Sequence, residues 1–183
     1  MARVLVTRRL PFPALDRLAA AHDVTVWEDD LPPSPERLRE LVADAEGLLC
    51  LLTDRVDAAL LDAAPRLRAI AVYAVGTDNV DHAAARARGI PVGNTPGVLT
   101  DATADLAFAL ILAAARRLAE GERAVRAGAW RTWEPAGWLG LELRGATLGI
   151  VGAGRIGRAV ARRAEGFGME VVTSRPAPLE ELL

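Results

Sequence analysis

The stretch TLGIVGAGRIGRAVARRAEGFGMEVVTSR, residues 147–175, decides the fold class of this chain. A short apolar run leads into Gly152-x-Gly154-x-x-Gly157. A helical pattern over 155–165 follows, and MEVVT (169–173) reads as a second strand. Strand, glycine turn, helix and strand in this order open a Rossmann-type dinucleotide-binding sheet. Gly152 permits the tight turn, Gly154 lets a pyrophosphate approach the backbone, and Gly157 allows the helix to pack closely on the strand. The phosphate charge would meet free amides at the helix N-terminus, where the helix dipole favours it. A purely structural βαβ turn is the other reading of the same glycines.

About twenty residues after such a turn an acidic side chain usually binds the ribose hydroxyls. Here Ser174 and Arg175 occupy that place. A hydroxyl and a guanidinium suit a 2′-phosphate, which points to NADPH as cofactor, with NADH as the second possibility. The competing reading makes Arg175 one more surface arginine.

Toward the N-terminus, strand-like and helix-like runs alternate. RVLVT (3–7), DVTVW (23–27), GLLCLL (47–52) and AIAVY (69–73) read as strands. FPALDRLAAA (12–21), PERLRELVA (35–43) with Pro35 at its first position, and DAALLDAAP stopped by Pro65 read as helices. This alternation argues for a parallel sheet covered on both sides, and the unbroken apolar runs at 47–52 and 69–73 predict burial on both faces. A long helical pattern follows from Thr100 to about Arg126, with Thr100 or Asp101 as its cap. Its middle is apolar nearly all round, which predicts burial all round, between domains or between subunits. Residues 129–145 form a loop-like segment with three of the four tryptophans.

Composition limits the partners. Of the 183 residues 51% are hydrophobic, and the formal net charge is -2, which gives no electrostatic ground for binding nucleic acid or an acidic membrane. All 22 basic residues are arginine, spread among acidic residues along helical segments. The lone Cys50 lies in a strand-like run and suits a reducing cytoplasm. The start, MARVLVTRRLPFP, lacks the apolar core of a signal peptide, and the longest apolar stretch, LAFALILAAA, is too short to span a bilayer. No metal-ligand set is apparent. His22 and His82 have no acid partner at a suggestive spacing and read as solvated or capping residues.

YAVGTDNVD (73–81), GIPVGNTPGVLTDATADLAFALILAAARR (89–117) and the W..WEP.GWLG.EL.G.TLGIVGAGRIG segment resemble the D-isomer-specific 2-hydroxyacid dehydrogenases, in particular their glyoxylate/hydroxypyruvate reductase branch. The resemblance covers residues 3–175. It implies a flavodoxin-like substrate domain over 1–97, followed from 98 by the beginning of a Rossmann-type cofactor domain. It implies NAD(P)H-dependent reduction of small 2-oxo acids, glyoxylate and hydroxypyruvate, to D-2-hydroxy acids. D-3-phosphoglycerate dehydrogenase and a catalytically inert nucleotide-sensing or truncated dimer are the alternatives. Cofactor contacts fall on Thr100, Gly154, Arg155, Ile156, Ser174 and Arg175. Backbone amides at Val75 and Gly76 would hold the substrate carboxylate, in keeping with a turn after a buried strand. Taken alone, that turn reads equally as a plain one with Asp81 capping the next helix. Trp138 is the candidate to reach a neighbouring subunit's active site, or else to anchor an interface. A homodimer through the 100–126 helix and the 129–145 loop is implied. The family's catalytic arginine, glutamate and histidine would lie beyond Leu183, making this chain the front portion of a longer enzyme with no catalytic residues of its own.

Overall fold

The structure, a computed structural model, describes residues 1–11 and 13–174. The chain divides into two compact units, Met1–Pro96 and Gly97–Leu183.

The first unit is built on five parallel strands: β1 (Arg3–Val6), β2 (Asp23–Val26), β3 (Gly47–Cys50), β4 (Ala69–Val72) and β5 (Val92–Gly93). Their order is β2-β1-β3-β4-β5, the flavodoxin-like doubly wound order. Between them run α1 (Ala14–Ala19), α2 (Pro35–Val42), α3 (Ala58–Asp62) and α4 (His82–Ala87). Each of the last three starts with a side-chain cap that satisfies an otherwise orphaned amide. Ser34 Oγ accepts from Arg37 N at 3.2 Å, Asp57 Oδ1 from Leu60 N at 3.0 Å, and Asp81 Oδ1 from Ala84 N at 2.9 Å. Pro35 occupies the first turn of α2, as its fixed φ favours. Helix α3 ends at Asp62, ahead of Pro65.

Leu38 and Val42 of α2, Leu60 and Leu61 of α3 and Ala85 of α4 pack against Leu5, Leu48, Cys50, Ile70 and Val72 of the sheet. This one-sided cover corrects the expectation of burial on both faces at 47–52 and 69–73. Along β4, Ile70 and Val72 are buried while Ala69 and Ala71 are exposed, and along β3 Leu48 and Cys50 are buried while Gly47 and Leu49 are half-buried. Of the described helices on the opposite face, α1 buries none of its residues.

The second unit contains α5 (Thr100–Ala115), α6 (Leu118–Arg126), β6 (Thr147–Ile150), α7 (Arg155–Gly166) and β7 (Glu170–Thr173), with β6 and β7 parallel. Ala104 and Phe108 of α5 pack on Ala159, Val160 and Ala164 of α7, backed by Leu148, Ile150, Met169 and Val171. Arg163 of α7 fastens the pair, reaching Asp105 at 2.6 Å and Asp101 at 3.4 Å. The expected single helix over 100–126 is in fact two. Arg117 adopts a left-handed conformation (φ 53°), and Leu141 N donates to the Ala115 carbonyl at 2.8 Å. That carbonyl is thereby withdrawn from the helical ladder. The 139–141 stretch of loop fits there because residue 140 is glycine, since a Cβ would lie under 3.0 Å from the Ala115 oxygen.

One further expectation for this helix fails. Leu99 stands at the N-cap with no side-chain bond, so neither Thr100 nor Asp101 caps it, and Asp101 is drawn toward Arg163. Within one chain Leu106 and Leu110 of α5 are each 61% exposed, so the expected all-round burial would need a neighbouring subunit. No helix among the described residues is long and apolar enough to cross a membrane.

Candidate functional site

In an open parallel sheet, ligands bind outside the carboxyl ends of the strands. At that end of the first unit, loops after β1, β3, β4 and β5 are tied by polar side chains. Thr7, just after β1, donates its hydroxyl to Asp54, which follows β3. Asp54 is 3% exposed, and its Oδ2 also accepts from Leu51 N at 2.8 Å. Arg8 lies 3.9 Å from its other oxygen. Asn79 reaches across from the loop after β4, donating to Asp54 O at 2.8 Å and Leu51 O at 3.1 Å. Buried polar groups require such partners, and here they lock three strand exits together.

The turn at Val75 and Gly76 sits beside this knot. Asn94 donates from its side chain to Val75 O at 2.7 Å, and Thr95 N donates to Ala74 O at 2.9 Å. Neither the Val75 nor the Gly76 amide meets an acceptor among the described residues. The turn thus presents two consecutive free donors. Asp78 is the nearest acidic group, its Oδ2 lying 3.5 Å from the position a Gly76 Cβ would take. On the outer side of the loop, Thr77 Oγ1 and His82 Nε2 are 2.8 Å apart. His82 is therefore a loop partner as well as the first residue of α4. His22 differs from the expected solvated residue, since its Nδ1 is buried without a hydrogen-bond partner among the described residues.

Cys50 is buried at the end of β3 next to this network. Burial, reinforced by the Asp54 charge, pushes its thiol up to about 12, against a smaller opposing effect of the Asn79 contact. A thiol held protonated in this way is a packing group, not a nucleophile.

In the second unit the glycine turn lies open at the N-terminus of α7. Gly152 has φ 92°, a conformation open to glycine. A Cβ on Gly157 would lie under 3.0 Å from the Gly152 carbonyl oxygen and 3.2 Å from Ile150 Cγ2, so α7 rests directly on the strand exit. Space around Gly154 is open to 4 Å. The amides of Arg155, Ile156 and Gly157 have no acceptor among the described residues, and Gly154 supplies no side-chain cap. Open backbone and free amides at a helix N-terminus fit a pyrophosphate. Ser174 Oγ accepts from Gly152 N at 3.4 Å, which sets its hydroxyl over the turn with its own proton still available. Arg175 lies outside the described residues. Thr100 is half-buried at the first position of α5, and the Arg155 guanidinium lies 3.9 Å from the position a Gly97 Cβ would take.

Trp138 belongs to this second unit, with the Arg117 guanidinium 5.6 Å from its ring centroid. No group of three or more potential metal ligands occurs among the described residues.

The sequence reading missed Asn94, Asn79, Asp54 and Thr7 as site residues. The available signal was positional: each follows a strand immediately or lies in the loop beyond it.

A flavodoxin-order sheet followed by a glycine-turn βαβ unit defines an α/β protein with a Rossmann-like second unit. The chain belongs to the D-isomer specific 2-hydroxyacid dehydrogenases, whose catalytic domain matches residues 4–174. It is 53% identical over 171 residues to a glyoxylate reductase of Korarchaeum cryptofilum, covering 93% of this chain and 52% of that protein. It is 48% identical over 188 residues to a glyoxylate reductase of Thermococcus litoralis, covering 98% and 57%. Among solved structures, the TT0316 protein from Thermus thermophilus superposes with a TM-score of 0.91 at 52% identity, covering 99% of this chain and 61% of that one. D-lactate dehydrogenase from Aquifex aeolicus, complexed with NAD and lactic acid, gives 0.79 at 25% identity, covering 98% and 54%. The chain therefore spans about half the length of the curated relatives it matches.

Proposed function

We propose that this chain supplies the substrate-carboxylate turn and the pyrophosphate cradle of an NADPH-preferring reductase of small 2-oxo acids, glyoxylate and hydroxypyruvate. The observation that carries the reading is the pair of unpartnered amides at Val75 and Gly76, at the carboxyl end of β4, in a chain that also holds an open glycine turn. Two adjacent donors match the two oxygens of a carboxylate. The glyoxylate reductase relatives favour this substrate class. Gly152, Gly154 and Gly157 with the amides of Arg155 and Ile156 would hold the pyrophosphate, and Thr100 would flank it. Ser174, with Arg175 beyond it, would take the 2′-phosphate where an acidic residue would repel it. The cofactor supplies the hydride, and this chain's own residues bind and orient.

Exposed Leu106, Leu110 and Leu118, together with Trp130 and Trp133, support a homodimer through the 100–126 helices and the 129–145 loop, with Trp138 at that interface or reaching the partner's site. The charge balance and the lone buried Cys50 support a cytoplasmic setting.

The test is oxidation of NADPH and of NADH by the complete reductase that carries these residues, with glyoxylate, hydroxypyruvate and 3-phosphohydroxypyruvate, followed by loss of nicotinamide absorbance. Turnover of the first two, faster with NADPH, supports the reading. Preference for the phosphorylated acid or for NADH refutes the corresponding part. NADPH binding without turnover of any acid refutes the reductase reading in favour of a nucleotide-binding protein.

A further inference from the structure

A trans peptide fixes its carbonyl and its amide on opposite sides of one plane. Whatever grips the carbonyl of residue 75 therefore aims the amide of residue 76. The Asn94 side chain grips Val75 O at 2.7 Å, and the next residue's amide, Thr95 N, grips Ala74 O at 2.9 Å. In an extended strand consecutive carbonyls face opposite ways. Here both are held by adjacent residues of the segment leaving β5, so the Val75 and Gly76 amides are both directed away from that segment. We infer that Asn94 is a positioning residue for the carboxylate of the 2-oxo acid. It aims the Gly76 amide and, by donating to the same peptide unit, polarises that amide for an anionic acceptor.

This inference rests on the proposed role of the Val75–Gly76 turn. The placement follows from topology. β5 is only two residues long and pairs with β4 through Ile70–Val92 and Ala71–Gly93. The chain beyond it runs on beside the chain beyond β4, which brings residues 94 and 95 level with residues 74 and 75. The Thr95 bond is a backbone bond that any residue but proline could make. Aim of the second amide depends on a side chain of suitable length with a donor at its tip. Asn94 is exposed, so its loss leaves the core intact.

The experiment is an amide-resolved NMR titration of the 15N-labelled 183-residue chain with sodium oxamate, a non-reducible analogue of a 2-oxo acid, against sodium chloride at matched ionic strength. Wild type, Asn94→Ala and Asn94→Gln are compared, with thermal unfolding as the control for folding. The expected result is that oxamate, but not chloride, moves the Val75 and Gly76 resonances in the wild type. Asn94→Ala should shift the Gly76 amide before any ligand is added. It should also weaken oxamate about tenfold, the loss of one hydrogen bond to a charged group, without lowering the unfolding temperature. Asn94→Gln, which still carries a donor, should recover most of that affinity. If oxamate moves Val75 and Gly76 in wild type and Asn94→Ala binds it equally well, the positioning role is overturned and the carboxylate turn stands. If oxamate leaves Val75 and Gly76 unmoved in the wild type, the carboxylate turn itself is wrong, and the role of Asn94 falls with it.

Discussion

Replacing Gly157 with alanine sets two opposing effects against each other. The added Cβ would lie under 3.0 Å from the Gly152 carbonyl oxygen and 3.2 Å from Ile150 Cγ2. The first obstruction is backbone at a turn with φ 92°, so it cannot swing aside as a side-chain tip would. Overpacking of this kind costs roughly 1–3 kcal/mol, and a rigid obstacle places it in the upper half of that range. Alanine returns about 1 kcal/mol of helix propensity within α7. The net expectation is a loss of about 1–2 kcal/mol. Gly121→Ala in α6 is the matched control, because nothing lies within 4 Å of its added methyl and only the propensity gain remains. Trp27→Phe provides the background. It leaves Trp130, Trp133 and Trp138, all in the second unit, as the fluorescent reporters of urea unfolding. Gly157→Ala should unfold at lower urea than this background and Gly121→Ala at higher urea. A Gly157→Ala midpoint equal to or above the background would refute the close rest of α7 on the strand exit.

Cys50 sets an alkaline limit. Its thiol pKa rises from 9.0 to about 12 on folding, so the folded chain holds the proton that the unfolded chain gives up. Stability from this group is complete below pH 9 and is lost as pH climbs toward about 12. Urea midpoints at about pH 8 and about pH 10.5 should fall in the wild type and fall less in Cys50→Val. Asp81→Ala removes the cap of α4 and should cost about 1 kcal/mol, read from the urea midpoint of the first unit. Arg163→Lys gives up the fork that serves Asp101 and Asp105 together. It should lower the urea midpoint slightly, and the loss should shrink when unfolding is repeated at high salt.

The sequence showed most clearly what repeats locally. The glycine turn, α7 and β7 follow from spacing alone, and Pro35 marks the start of α2 through its fixed φ. β5 escaped notice because two residues, Val92 and Gly93, carry no period. It exists through its pairing with β4, and the site residue Asn94 was missed with it. The break at Arg117 was equally hidden. Nothing near residues 115–117 is a helix breaker; the interruption comes from Leu141, more than twenty positions later in the chain. Burial was misjudged where both faces of a strand are apolar, as in AIAV of β4. Composition says that a face can be covered, and only the placement of helices says whether it is.

The bonds around the Val75–Gly76 turn join residues far apart in sequence, with Thr7 to Asp54 separated by 47 positions, Asn79 to Leu51 by 28 and Asn94 to Val75 by 19. Contacts of such separation form only after the intervening chain has given up its freedom. The turn therefore has no native geometry until β1, β3, β4 and β5 have all found their neighbours. During refolding, the carboxylate affinity proposed for this turn should emerge with the last phase of strand pairing. A bound 2-oxo acid would then act as a clock for completion of the sheet, and its mass action would favour that completed state over every partly assembled one.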